Sequence, residues 1–314
     1  EQRLKDPELY LEAQLEEIRA QEEMRGDFVP ALCPSLGVVA IPSAFGCPVR
    51  WFPDDFPAAL PAIGPGRPVD TLEPPPVRAG LLGTILDYTR YFREETGLPI
   101  RVTDIQGPLD SAALVWGHTE FFLAMLSDPE GVHRLLDLVT DLTIRFVKEQ
   151  RKEAGEFVPS LFQPWMPDGA GVSVSNDEGV LISAEMHDNF CLPYLNRISR
   201  AFGGIFIHSC GNWAHLLPSI AKVEGLRGVE FGAGETEFAE VSLELGGKVV
   251  LSTRVGLNMD IHFRSMKEYV LHILEHKKTN RGLFIQVDIT NGIPGEDWEE
   301  TGLEEIYAVL EEGP

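Results

Sequence analysis

Gly204-Ile205-Phe206-Ile207-His208-Ser209-Cys210-Gly211-Asn212 reads as a buried apolar strand that runs into a histidine and a cysteine two residues apart. Side chains two apart on a strand share a face, so His208 and Cys210 point at one spot if the extended backbone persists to Gly211. Imidazole with thiolate suits zinc above other common ions. The pair by itself fits equally a buried cysteine beside a histidine bonded to backbone, so the surrounding chain has to decide.

Outward from that strand the pattern repeats. Apolar stretches near 99–103, 158–163, 171–175, 204–208, 228–231, 248–252 and 283–288 alternate with helical stretches near 81–96, 111–126, 129–153, 184–201, 213–223, 236–245, 265–276 and 298–312. Alternation of this kind predicts an α/β fold with a parallel sheet, most simply a closed (β/α)8 TIM barrel. Asp128 is placed to cap a helix whose first residue is Pro129. Ahead of the repeat, residues 7–24 form an amphipathic helix with Leu9, Leu11, Leu15 and Ile18 on its apolar side. A Pro- and Gly-rich stretch follows through Pro76. The expected organisation is one domain: a wrapping segment over 1–80 and the barrel body over 81–314.

A barrel carries its chemistry at the carboxyl ends of its strands. Those ends hold Asp104 and Gln106, Gln163 and Trp165, Asn176 and Asp177, His208 and Cys210, Glu230, Arg254, and Asp288 with Asn291.

Composition narrows the partners. With 314 residues and 44% hydrophobic content the chain buries a large core, and 49 acidic against 26 basic side chains give a formal net charge of −23. Nucleic acid and anionic membranes are repelled by such a chain. Cys33, Cys47, Cys191 and Cys210 show no repeated spacing, and neither a signal peptide nor a membrane-spanning run is present, so the expected compartment is the cytoplasm. Glu1 opens a charged helix without a start methionine, so residues are expected to be missing ahead of it.

Several segments resemble the uroporphyrinogen decarboxylase superfamily, and within it the corrinoid-dependent branch that includes methylcobamide:coenzyme M methyltransferases. The likeness spans roughly residues 27–312. It rests on Gly107-Pro108, Asp128-Pro129-Glu130, Ile182-Ser183-Ala184-Glu185, Leu192-Pro193-Tyr194-Leu195, Ile207-His208-Ser209-Cys210-Gly211-Asn212 and Asn291-Gly292-Ile293-Pro294. The resemblance implies a (β/α)8 barrel and a zinc ion held by His208 and Cys210. The coenzyme M enzymes carry a further cysteine just before the final turn, where this chain has Thr290 and Asn291. The third ligand is therefore missing or replaced. Asp288 is the expected substitute by proximity, with Glu230 and Glu185 as alternatives; Asp288 fits a turn cap or an ion pair with Arg254 as well.

The arginine-bearing amino-terminal motif of the true decarboxylases is absent from this sequence, which argues against a porphyrinogen substrate. The implied function is a zinc-assisted methyltransferase moving a methyl group between a small substrate or thiol acceptor and a corrinoid. The corrinoid would be carried by a separate protein, since no Asp-x-His-x-x-Gly motif occurs here. Arg254 is expected either to grip an anionic substrate group or to pair with Glu230 or Asp288. A metal-independent lyase acting on a small acid, using Asp104 or Asp177 with Arg254, and a non-catalytic barrel are the competing readings. Asn212 is expected to cap the following helix. His187, Asp188 and His215 are expected at the surface, and Cys33, Cys47 and Cys191 as small buried residues. Trp165 and Phe45 are read as pocket wall or core.

Overall fold

The computed structural model describes residues 2–22, 26–53, 55–64, 67–161, 165–255, 261, 263–287 and 301–312. Two helices, α1 (Gln2–Lys5) and α2 (Pro7–Glu22), are followed by α3 (Ala40–Ala44) and an antiparallel hairpin of β1 (Val49–Phe52) and β2 (Asp55–Ala59). The repeat then begins with α4 (Leu82–Thr96), β3 (Ile100–Arg101), α5 (Pro108–Trp116), α6 (His118–Ser127), α7 (Pro129–Ala154) and β4 (Phe157–Val158). It continues through β5 (Val172–Ser175), α8 (Ala184–Phe190), α9 (Leu192–Phe202), β6 (Ile205–Ser209), α10 (Leu217–Ile220) and β7 (Leu226–Gly232). It ends with α11 (Phe238–Leu245), β8 (Val250–Arg254), α12 (Met266–His276), β9 (Leu283–Ile285) and α13 (Thr301–Glu312).

The staves are all parallel. Leu32 bridges Ile100 of β3, β3 pairs with β4, and β5 through β9 form a five-stranded sheet in chain order. The Ser173 N–H donates to the Pro159 carbonyl at 2.9 Å and joins the two groups. Eight staves, counting the one at Leu32, thus follow one another as a (β/α)8 barrel requires. The first stave belongs to the amino-terminal segment, and α2 seals its outer edge. The Gln14 amide donates to the Cys33 carbonyl at 2.8 Å and accepts from the Cys33 N–H at 2.7 Å, taking the place of a neighbouring strand.

Register decides what faces the barrel axis. Ser175, His208, Glu230 and Ser252 align across β5 to β8, and aligned residues of parallel strands share a face. One step along, Val174, Ile207, Val229 and Leu251 align and are buried in the apolar core. The polar layer is therefore the inner one, and the apolar layer is turned to the helices. Below it Phe206 lies over Gly228, where a Cβ would come within 2.2 Å of the ring.

Helix starts follow the sequence signals. Asp128 accepts from the Gly131 N–H at 3.0 Å and α7 begins at Pro129, as read from the chain. Two long helical stretches are each broken in two. The expected helix over 111–126 divides at Gly117, whose φ of 92° lies in the region glycine favours. The one over 184–201 divides at Cys191, just before Pro193 of α9 removes a backbone donor. Among the described residues no helix is long and apolar enough to cross a membrane.

Candidate metal centre

β6 ends at Ser209, and Cys210 just beyond it still faces the same spot as His208. His208 Nε2 lies 3.3 Å from Cys210 Sγ. The third donor comes from the turn after β5: Asp177 Oδ1 is 3.5 Å from the same Nε2 and accepts the Cys210 N–H at 2.7 Å. The donor atoms of Asp177, His208 and Cys210 lie within 4.8 Å of one another, the only such three-residue group among the described residues. Asp288, the expected third ligand, lies outside the described residues. Of the alternatives, Glu185 is exposed on α8 and Glu230 sits on the other side of the imidazole.

Glu230 is 1% exposed and bonds His208 Nδ1 through Oε2. A carboxylate on the far nitrogen fixes the ring and leaves Nε2 for a metal, the usual support of a ligating histidine. The other oxygen of Glu230 accepts from Arg254 Nε at 3.1 Å and from Gln286 Nε2 at 3.3 Å. Gln286 also reaches Ser252 Oγ at 2.8 Å, extending the polar layer to the stave after β8. Arg254 realises the ion pair with Glu230 that its strand-end position allowed, and its Nη2 donates to Cys210 Sγ at 3.2 Å. Glu235, buried at 1%, is 3.9 Å from the same Nη2.

Burial alone would push the His208 pKa down. The hydrogen bonds to Cys210 and Glu230 and the charge of Glu230 outweigh it, and the value rises to about 10. Without a metal the ring is therefore an imidazolium, and a metal must displace the Nε2 proton. Asp104, at the end of β3, is bonded by Gln106 Nε2 at 3.0 Å; burial raises its pKa, helped by the charge of Asp177 and opposed by His208. It faces the same mouth.

The turn that carries Asp177 is tied down from two directions. Asp110, third residue of α5 and 2% exposed, accepts from Ser175 Oγ at 2.8 Å and from the N–H groups of Asp177 and Glu178 at 3.0 and 2.9 Å. Burial and the charge of Asp177 push its carboxyl up to about 7 against those bonds. Asn176, beside Asp177, donates to His187 Nε2 at 3.2 Å. His187 Nδ1 donates to Ser219 Oγ at 2.7 Å, and Ser219 donates to Asp188 Oδ1 at 2.6 Å, with Lys222 on the other carboxylate oxygen at 2.5 Å. This order of donors assigns the neutral Nδ1–H tautomer to His187.

His187 is thus fully buried, not exposed as its sequence position suggested. Only its neighbour Asp188 reaches partly to solvent. Burial, opposed by Asp188, lowers the His187 pKa to about 4. An unfolded histidine takes up its proton near pH 6.5, so between about 6.5 and 4 the unfolded chain binds more protons. Stability should fall as pH drops through that window by on the order of 3 kcal/mol from this residue. Urea midpoints at pH 7 and 4.5 should move less in His187→Gln than in the parent chain; equal movement would refute the assignment.

Other expected features sort plainly. Cys33, Cys47 and Cys191 stay clear of the centre, and burial pushes the Cys33 thiol up to about 12. His215 is an exposed residue bonded to the Ile182 carbonyl, and Asn212 caps the turn after Gly211 by accepting the Ala214 N–H. Phe45 is core, while Trp165 is 46% exposed. Asp177 was legible as a strand-end residue, but its ligand geometry was not. Asp110 and Glu235 carried no sequence signal for the site.

A sequence model of the uroporphyrinogen decarboxylase (URO-D) family matches residues 1–252, the part of the chain that contains Asp110, Asp177, His208, Cys210 and Glu230. The chain belongs to the URO-D family. A methyltransferase from Methanosarcina mazei shares the fold with a TM-score of 0.69 at 16% identity, the match covering 98% of this chain and 86% of that one. No curated protein matches the sequence. This URO-D family member keeps the polar strand-end layer on four consecutive staves, β5 to β8, and its site is assembled there.

Proposed function

We propose that this URO-D family member is a zinc-assisted methyltransferase that moves a methyl group between a small substrate and a corrinoid carried by a separate protein. The observation that carries the reading is the Asp177, His208 and Cys210 triad at the carboxyl ends of adjacent staves, with Glu230 behind His208. The resemblance of the His208-Ser209-Cys210-Gly211 segment to the corrinoid-dependent branch supports it, as does the likeness in fold to a methyltransferase.

Nitrogen, sulfur and carboxylate oxygen suit zinc, and three protein donors leave a fourth position for substrate. Zinc bound there would lower the pKa of a thiol or polarise a heteroatom brought to that position. His208 Nε2, Cys210 Sγ and the Asp177 carboxylate would hold the ion, while Glu230 fixes the imidazole and takes up the charge of Arg254. Asp104, kept protonated more readily by burial, is the group able to give or take a proton at the mouth. Arg254 holds Cys210 Sγ and is committed to Glu230, so it is a weak anchor for an anionic substrate.

Charge narrows the substrate class. With zinc bound, its two charges are met by Asp177 and Cys210, and the cation Arg254 faces both Glu230 and Glu235 at these strand ends. The mouth therefore suits a neutral or cationic methyl donor or acceptor better than an anionic one. Mixing zinc-loaded protein with methylcobalamin or cob(I)alamin and such substrates should interconvert the two corrinoid spectra. Chelation should abolish the change and added zinc restore it. Zinc-replete protein without transfer to any neutral or cationic substrate would sink the reading. Metal-independent release of CO2 from a small acid would favour the lyase alternative, whose specific support is the raised pKa of Asp104.

A further inference from the structure

We infer that Asp110 is a positioning residue of the metal centre: its carboxylate fixes the turn at residues 176–178 so that Asp177 meets His208 and Cys210. The inference rests on the metal-centre reading above. Three donors converge on the buried carboxylate: Ser175 Oγ and the Asp177 N–H on Oδ2, and the Glu178 N–H on Oδ1. The other side of the turn is fastened to β6. The Asn176 N–H donates to the His208 carbonyl at 2.8 Å, Ser209 Oγ donates to the Asn176 carbonyl at 3.2 Å, and Asp177 Oδ1 accepts the Cys210 N–H. Asp177 is therefore held between α5 and β6, with Asp110 as its support on the α5 side.

The approach of α5 is itself specific. A Cβ on Gly107, just before the helix, would sit 2.1 Å from the Ser175 carbonyl oxygen. Only glycine lets the first turn of α5 come close enough for Asp110 to reach two consecutive N–H groups. Among the described residues Asp110 has no cation partner, so any charge its carboxyl carries is met by hydrogen bonds alone. A neutral side chain of similar shape would cap one N–H at lower cost. It would not accept three donors at once, because an asparagine turns an NH2 group toward one of them.

The test is a double-mutant cycle of zinc and cobalt(II) affinity with Asp110→Asn, Asp177→Asn and the pair. Asp110→Asn should weaken binding by about 10–100-fold. It should move the cobalt d–d bands toward those of Asp177→Asn and keep the thiolate charge-transfer band of Cys210. In the pair the loss should not exceed that of Asp177→Asn. Affinity and spectrum like the parent's, or losses that multiply, would overturn the inference.

Hydrogen exchange in metal-free protein reads the same role without a metal. The Asp177, Glu178 and Cys210 amides should exchange faster in Asp110→Asn while β7 and β8 stay protected; unchanged exchange at all three overturns it. If the parent chain binds neither metal, the proposed function fails and the exchange comparison alone decides the positioning role. Should Asp110→Asn not fold, Ser175→Ala removes a single bond to the same carboxylate. It is expected to speed exchange at Asp177 and Glu178, and no change there counts against the role.

Discussion

Replacing Glu230 with alanine is expected to destabilise the metal-free protein by about 3–5 kcal/mol, the largest stability effect of any single change at the site. Glu230 is 1% exposed and serves two cations at once, His208 through Nδ1 and Arg254 through Nε. Its removal leaves both charges facing a buried gap, with Gln286 losing an acceptor as well. Breaking a buried pair from one side is costly because the remaining charge stays desolvated. His208 then has less reason to hold a proton, so part of the penalty is relieved by deprotonation and its pKa drops from about 10. Glu230→Gln should cost less, since the amide keeps one acceptor for Arg254. Urea unfolding at pH 7 in chelator measures both variants, and a loss below about 1 kcal/mol for Glu230→Ala would show that the network bears little charge.

Cys210→Ala and His208→Ala should each lose zinc altogether in protein purified without added metal, a fall in affinity of more than about 100-fold. The reference is the 10–100-fold typical of outer-sphere partners alone. With three protein donors, deleting one leaves two, too few for a stable tetrahedral site. The two variants should differ in stability. Cys210 is only partly buried and gives up a contact with Arg254, so its loss is mild. His208 leaves Glu230 with one cation instead of two. Metal analysis per chain, with thermal unfolding beside it, checks both statements. Zinc retained in Cys210→Ala would remove the sulfur from the ligand set and with it the basis of the proposed function.

The fold was legible because its signal is repetitive. Each buried strand is an apolar run and each helix an apolar stripe, so β5 to β8 and α4, α7 and α12 stand close to their expected positions. Where the signal is one residue deep it was lost. The stop at Gly117 is a matter of backbone φ, and a helix with a glycine in it looks continuous in sequence. The first stave, at Leu32, lies in a Pro- and Gly-rich stretch too short to show alternation, and it is a stave because Ile100 pairs with it.

The site divides in the same way. His208 and Cys210 share a strand, so period-two geometry places them together before any tertiary contact is known. Asp177 is 31 positions before His208 in the chain, and register alone brings the end of β5 beside β6. The resemblance pointed to Asp288 as the third ligand in place of an absent cysteine, and Asp288 lies outside the described residues. Asp177 stood in the strand-end set without a reason to prefer it. His187 was expected at the surface, and the network from Asn176 to Lys222 that buries it draws on α8, α10 and the β5 turn together.

Local periodicity and the wording of the His208-Ser209-Cys210-Gly211 segment pointed to the barrel, to its strand ends and to two of the three residues of the candidate metal centre. Only the tertiary structure brought Asp177 to that pair, joined Glu230 to both His208 and Arg254, and placed Asp110 under the turn of Asp177. The reason is physical. Strand and helix period act between residues two to four apart, whereas ligand geometry and buried charge balance depend on side chains brought together from separate staves by register, and register is set by the packing of the whole sheet.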